Sequence, residues 1–197
     1  METHAQTTQA RTPTPVEQID EIVARLAEHS ERFAKRSIEE RIGMLRGILA
    51  GYSRIAERSV RAACEAKGIP FGAPRGGEEW LAGPMPVIRN LRLLIRSLTE
   101  FAKQGHIRLP RVATLPNGRV TVRVYPADLS EKLLFSGFEA WVRQDPSVTE
   151  ENLEEKIAGA YRTPPSSGKV CLVLGAGNVA SIPAMDALYK MFVERKS

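Results

Sequence analysis

Five consecutive apolar residues, Val170-Cys171-Leu172-Val173-Leu174, run directly into Gly175-Ala176-Gly177, and few folds accommodate that junction. A continuous apolar run suits a strand buried on both faces, the environment of a parallel sheet. Ser181 or the adjacent turn can cap a following helix, Pro183 suits its first turn, and Met185, Leu188, Tyr189 and Phe192 supply an apolar stripe. Residues 169–197 therefore predict a strand, a glycine turn and a helix. A single parallel strand cannot make a sheet, so the unit requires further strands to cover its apolar face.

The pattern Gly175-x-Gly177-x-x-Ala180 also satisfies a loose dinucleotide fingerprint, in which turn amides and a helix start receive a pyrophosphate. The full fingerprint expects a second strand with an acidic residue about 20 positions on, and the sequence reaches Ser197 where that strand would begin. Asn178 beside the glycines has a plainer reading as a turn residue that tolerates a left-handed backbone. The expected fold class is α/β: amino-terminal helices and a β-hairpin, followed by the first βα unit of an incomplete Rossmann-like parallel sheet.

Upstream, residues 1–15 are rich in Thr, Gln and Pro and lack periodicity, which predicts a disordered lead. Residues 16–105 form a helical region. Val16, Ile19, Val23 and Leu26 recur at helical spacing in a first helix to about His29, and Ser37 with Glu40 makes a capping-box pattern for a second. That second helix carries Ile38, Ile42, Leu45, Ile48, Leu49, Tyr52 and Ile55 on one stripe and stops at Lys67-Gly68. Ile69 to Gly77 reads as a loop, and Trp80 to about Lys103 as a third helical region, entered near Pro84 or Pro86, with Val87, Leu91, Leu94, Ile95, Leu98 and Phe101 inward.

The period then changes from helical to alternating. His106 to Thr114 and Arg119 to Tyr125 flank Pro116-Asn117-Gly118, which predicts a two-stranded ribbon over residues 106–126, with Val120, Val122 and Val124 on one face and Thr121, Arg123 and Tyr125 on the other. Residues 127–168 read as an irregular connection or insertion carrying one short helix.

Bulk properties narrow the function classes. No run of about 18 apolar residues occurs and the first fifteen residues have no apolar core, so neither a membrane span nor a signal peptide is expected and the cytoplasm is. Cys64 and Cys171 are the only cysteines, too few for a disulfide framework or a cysteine-rich metal site, and both read as buried structural thiols. The formal charge is +5. Because the basic residues are scattered and interleaved with Glu, with few aromatics between them, no nucleic-acid partner is expected.

The run Leu174-Gly-Ala-Gly-Asn-Val-Ala-Ser-Ile-Pro183, followed by an apolar helix, resembles the start of the cofactor domain in the aldehyde dehydrogenase superfamily and its acyl-CoA reductase relatives. Arg41-x-x-x-Leu45-Arg46-x-Ile48-Leu49 and Glu65-Ala66-Lys67-Gly68 are similar to the amino-terminal helices of that family, in the right order. The resemblance covers roughly Ile19 to Arg195 and is poor between Pro126 and Gly168. It implies an NAD or NADP cofactor, an aldehyde or acyl-CoA substrate, and a homo-oligomer assembled through the hairpin. It further implies Asn178 as the side-chain donor to the oxyanion of a thiohemiacetal, with Leu174, Gly175, Ala176 and Gly177 as backbone near the nicotinamide.

The usual Trp-Asn-Phe-Pro of the family reads here Gly177-Asn178-Val179-Ala180, which points to a divergent branch. Aldehyde oxidation needs a cysteine nucleophile and a general base, and neither Cys64 nor Cys171 stands where the nucleophile belongs. The resemblance thus implies the amino-terminal part of such an enzyme, inactive alone, with the nucleophile, the Glu base and a cofactor-binding Lys lying beyond Ser197. Two other readings stand beside it: a complete small nucleotide-binding or regulatory module using Gly175 to Ala180 as an anion nest, and a helical structural protein whose glycine turn is only a turn.

Overall fold

The computed structural model describes residues 13–163, 167–175 and 178–196. The helices come first: α1 (Val16–Ala34), α2 (Ile38–Ala66), α3 (Gly77–Ala82) and α4 (Pro84–Gln104), with a 3-10 turn at Pro74–Gly76. A sheet region follows, with β1 (Val112–Thr114), β2 (Val120–Tyr125), α5 (Leu129–Leu134), β3 (Ala140–Arg143), α6 (Leu153–Lys156) and α7 (Gly159–Arg162), and the chain closes on α8 (Ser181–Phe192).

The start of α2 is fixed by the expected reciprocal cap: the Glu40 amide donates to the Ser37 hydroxyl at 3.1 Å, and the Ser37 amide to the Glu40 carboxylate at 2.8 Å. Its end is set by Lys67 and by Gly68 at φ 64. The third helical region is entered at Pro84, as expected, and a short separate helix, α3, precedes it. A Cβ on Gly83 would meet the Glu79 carbonyl oxygen at 2.5 Å, so α3 ends where α4 can begin on Pro84 only because this position has no side chain.

α2, α4 and α8 build the main core, in which Ile42, Leu45, Val87, Leu91, Leu98, Leu188 and Phe192 are all buried. Leu45 and Leu91 are completely enclosed. The apolar stripes of α2 and α4 meet along the most extensive contact of the fold. α1 runs on to Ala34, past the end expected at His29, but residues 16–29 are exposed on every side and the helix is buried only at Ser30 and Ala34.

The hairpin at Asn117-Gly118 forms as expected, with Gly118 at φ 80 and the Leu115 amide donating to the Arg119 carbonyl at 2.9 Å. The ribbon is, however, two strands of a three-stranded antiparallel sheet in the order β1-β2-β3. β3 comes from the stretch expected to hold one short helix, which in fact holds three helices and a strand. Val120 and Val122 enter a second small core with Val148 and Leu153, whereas Val124, on the same alternation, is exposed beyond a bulge at Arg123/Tyr125.

The expected parallel strand is not found among the described residues. Residues 169–175 form neither helix nor strand, and the sheet contains no parallel pair. The physical reason is the one the sequence raised: a strand exists only against a neighbour, and none of the described residues supplies one. The fold is mixed helix and small antiparallel sheet.

Candidate functional site

The segment predicted to carry chemistry runs from a crossing of α1 to the first turn of α8. It starts where Gly168 crosses α1 so closely that a Cβ there would overlap the backbone of Ser30 and Glu31, and the Gly168 amide donates to the Glu31 carboxylate at 2.8 Å. It ends at Gly175, where a Cβ would stand 2.7 Å from Pro183 Cγ in the first turn of α8. Both glycines are required by close approach. Between them the side chains alternate: Cys171 and Val173 are half-buried, while Leu172 and Leu174 are each 81% exposed. Cys171 is thus less buried than its reading as an enclosed thiol implied, whereas Cys64 is fully enclosed as expected.

The candidate site residues are distributed around the turn that follows. Leu174 and Gly175 are exposed at the end of the extended segment, Asn178 is exposed at the bend, and Ala176 and Gly177 lie outside the described residues. The Ile182 amide reaches the Val179 carbonyl at 3.4 Å, which closes the turn into α8. Ser181 is buried as the first helical residue, and no side chain caps α8. With the Ile182 amide engaged and Pro183 lacking an N–H, this helix start offers fewer free amides than an ordinary uncapped one.

The far end of α8 is held by a node that the sequence did not announce. Arg41, a completely buried side chain, sends Nη1 to the Met191 carbonyl at 3.0 Å and Nη2 to the carbonyls of Phe33 at 2.6 Å and Ala34 at 3.2 Å. Arg195 donates to the Ala34 carbonyl at 2.7 Å and the Ala160 carbonyl at 2.8 Å, and the Tyr161 hydroxyl to the Phe192 carbonyl at 2.5 Å. All of these acceptors but Ala160, which belongs to α7, are among the last carbonyls of α1 and α8, groups that lack partners within their helices and sit at the negative ends of the helix dipoles. Two cations therefore rest among carbonyls rather than carboxylates. Burial lowers the Arg41 pKa, with the neighbouring positive charges of Arg195 and Arg36 acting in the same direction. Burial also raises the Tyr161 pKa, opposed by Arg41 and Arg195.

The described residues contain no cluster of His, Cys, Asp or Glu able to hold a metal ion, and no helix long and apolar enough to cross a membrane. No family model, curated protein or solved structure matches this chain.

Proposed function

We propose that this chain is the amino-terminal part of an NAD(P)-dependent oxidoreductase of the aldehyde dehydrogenase type, acting on an aldehyde or an acyl-CoA. The observation that carries the reading is the state of residues 170–174. They form neither helix nor strand, they alternate between half-buried and exposed side chains, and they leave two leucines bare. That is the form of a sheet strand with one helical layer in place and its neighbouring strands absent from the described residues. In this reading the neighbours, and the cysteine nucleophile and glutamate base with them, come from further chain, and the protein works in the cytoplasm as a homo-oligomer.

The residues present suit part of a dinucleotide site. Gly175 lets the turn pack onto Pro183, and the α8 start is uncapped. Leu174 to Gly177 would supply backbone beside the nicotinamide, and the cofactor would accept or give a hydride. Asn178, exposed at the bend, would donate its amide to the oxyanion that develops on the substrate.

Two experiments test the reading. Purified as it stands, the chain should reduce neither NAD nor NADP with any aldehyde, and turnover abolished by Cys64→Ala or Cys171→Ala would refute the missing nucleophile. In the complete enzyme Asn178→Ala should lower kcat about 10²–10³-fold with little change in KM. A near-normal kcat in Asn178→Gly, which keeps the turn and removes the amide, would show that Asn178 serves only the backbone.

A further inference from the structure

Basic residues that are dispersed along the sequence converge on one face of the sheet. The register pairs Ala113 with Thr121 and Thr121 with Arg143, while Arg123 lies beside Trp141. With side chains alternating across each strand, Thr121, Arg123, Trp141 and Arg143 share a face, opposite the one that sends Val120 and Val122 into the core. A depression of about 540 Å³ opens on that face, lined by Ala113, Leu115, Thr121, Trp141 and Arg143.

Polar groups around it are unevenly satisfied. The Thr121 hydroxyl donates to the Ala113 carbonyl at 3.0 Å. Glu139 accepts from Trp141 Nε1 at 3.0 Å and from Arg123 at 3.3 Å, bonds that hold its pKa below the ordinary carboxylate range. Arg123 Nε is enclosed without an acceptor among the described residues. The Arg111 guanidinium hangs 5.6 Å from the Trp141 ring centre, and neither Arg111 nor Arg143 forms an ion pair with a described residue.

We propose that this face binds a nucleotide-type ligand, a planar aromatic base stacked on Trp141 with its phosphate held by Arg143 and Arg111. An indole offers the flat surface that bases stack on, and a guanidinium fork matches phosphate oxygens two at a time. A base that takes the place of Arg111 over the ring frees that guanidinium for the phosphate. The floor of Ala113, Leu115 and Thr121 has its one hydroxyl already engaged, so recognition runs through stacking and charge and tolerates different bases. The elements that carry this site are not those of the turn at residues 175–180, and the proposal does not depend on the oxidoreductase reading.

Calorimetric titration with AMP, adenosine, ribose 5-phosphate and a short single-stranded oligonucleotide tests it. AMP should bind saturably and both half-ligands much more weakly. An oligonucleotide that binds no better than AMP assigns the site to free nucleotides, and one that binds more tightly assigns it to a single strand. In a Trp80→Phe background, AMP should quench the emission of Trp141, then the sole tryptophan. Trp141→Ala should weaken AMP binding roughly 5- to 150-fold, Trp141→Phe less, and Arg143→Gln should both weaken binding and flatten its dependence on salt. Arg46→Gln on α2 should change nothing. Absence of heat and quenching with AMP, ribose 5-phosphate binding as tightly as AMP, or full affinity in a Trp141→Ala protein of wild-type melting temperature would each overturn the proposal. If Trp141→Ala does not fold, Trp141→Phe and Arg143→Gln decide, and unchanged affinity in both overturns it equally.

Discussion

Removing the Arg41 guanidinium while keeping its stem is the sharpest test of how the helices are held. In Arg41→Met the Met191 carbonyl loses its donor and the Arg36 carbonyl its long 3.4 Å bond from Nε; Ala34 keeps Arg195, and Phe33 keeps the Arg36 amide at 3.2 Å. The part-buried Met191 acceptor is left bare, costing about 1–3 kcal/mol, and the charge-assisted bonds to Phe33 and Ala34 are lost, each worth about 1.5–3 kcal/mol. Against this, a desolvated charge disappears, and relief of such a charge offsets several kcal/mol. The balance comes to about 2–4 kcal/mol of destabilisation, or a fall in melting temperature of roughly 4–16 °C for a chain of this size. Thermal unfolding followed by circular dichroism measures it. Arg41→Lys should recover only part of the loss, because a compact ammonium cannot span carbonyls on two helices. Arg41→Met melting within a degree of wild type would refute the claim that neutral helix ends hold a buried cation to advantage.

Three other outcomes follow from the same structure. Ser37→Ala removes one half of the α2 capping box and should cost about 1 kcal/mol, read as a melting shift of roughly 2–4 °C; a loss below a few tenths would mean the cap is idle. Gly168→Ala forces a Cβ into the α1 backbone and should lift residues 167–175, so tryptic cleavage after Lys169 should accelerate, and an unchanged rate would contradict the close crossing. Arg89 donates to Glu131 at 2.5 and 3.1 Å and lowers its carboxyl pKa, so this bond stabilises above the ordinary carboxylate range and is lost as pH falls through the lowered value. The melting difference between wild type and Glu131→Gln should therefore shrink from about pH 7 to about pH 3, and a constant difference would count against the ion pair.

The helices of the core were legible because their signals are local. Apolar spacing located the stripes of α2 and α4, and Ser37 with Glu40 located a helix start to the residue. Gly118 was legible for the same reason. β3 was not: Ala140-Trp-Val-Arg143 is four residues long, and only pairing with β2 makes it a strand. The gathering of Arg123, Trp141 and Arg143 on one face depends on that register, so charge that looked scattered along the chain could not be seen to converge. Arg41 reads in sequence as one more solvated helix charge, and its burial is decided by Met191, 150 residues away. The glycine turn was legible as a turn, while its role rests on residues that adjoin it in space.

The bare segment at residues 170–174 can be weighed in energy. Full burial of a leucine contributes about 1.5–3 kcal/mol, so Leu172 and Leu174, each 81% exposed, forgo about 2.5–5 kcal/mol together. α1 adds Val16, Ile19, Ile22, Val23 and Leu26, each between 39% and 66% exposed on a helix whose residues 16–29 are all exposed. In proteins most of the stability of such a helix comes from a packed apolar face. The two uncovered features adjoin at Gly168, where the extended segment leaves α1. Scattered surface leucines would need no explanation, but two neighbouring elements that each have the periodicity of a buried face, and neither of which is buried, are the pattern left when one layer of a core is in place and the layer that covers it is not. The oxidoreductase reading proposed above would place strands against residues 170–174 and leaves the exposed face of α1 to be covered separately.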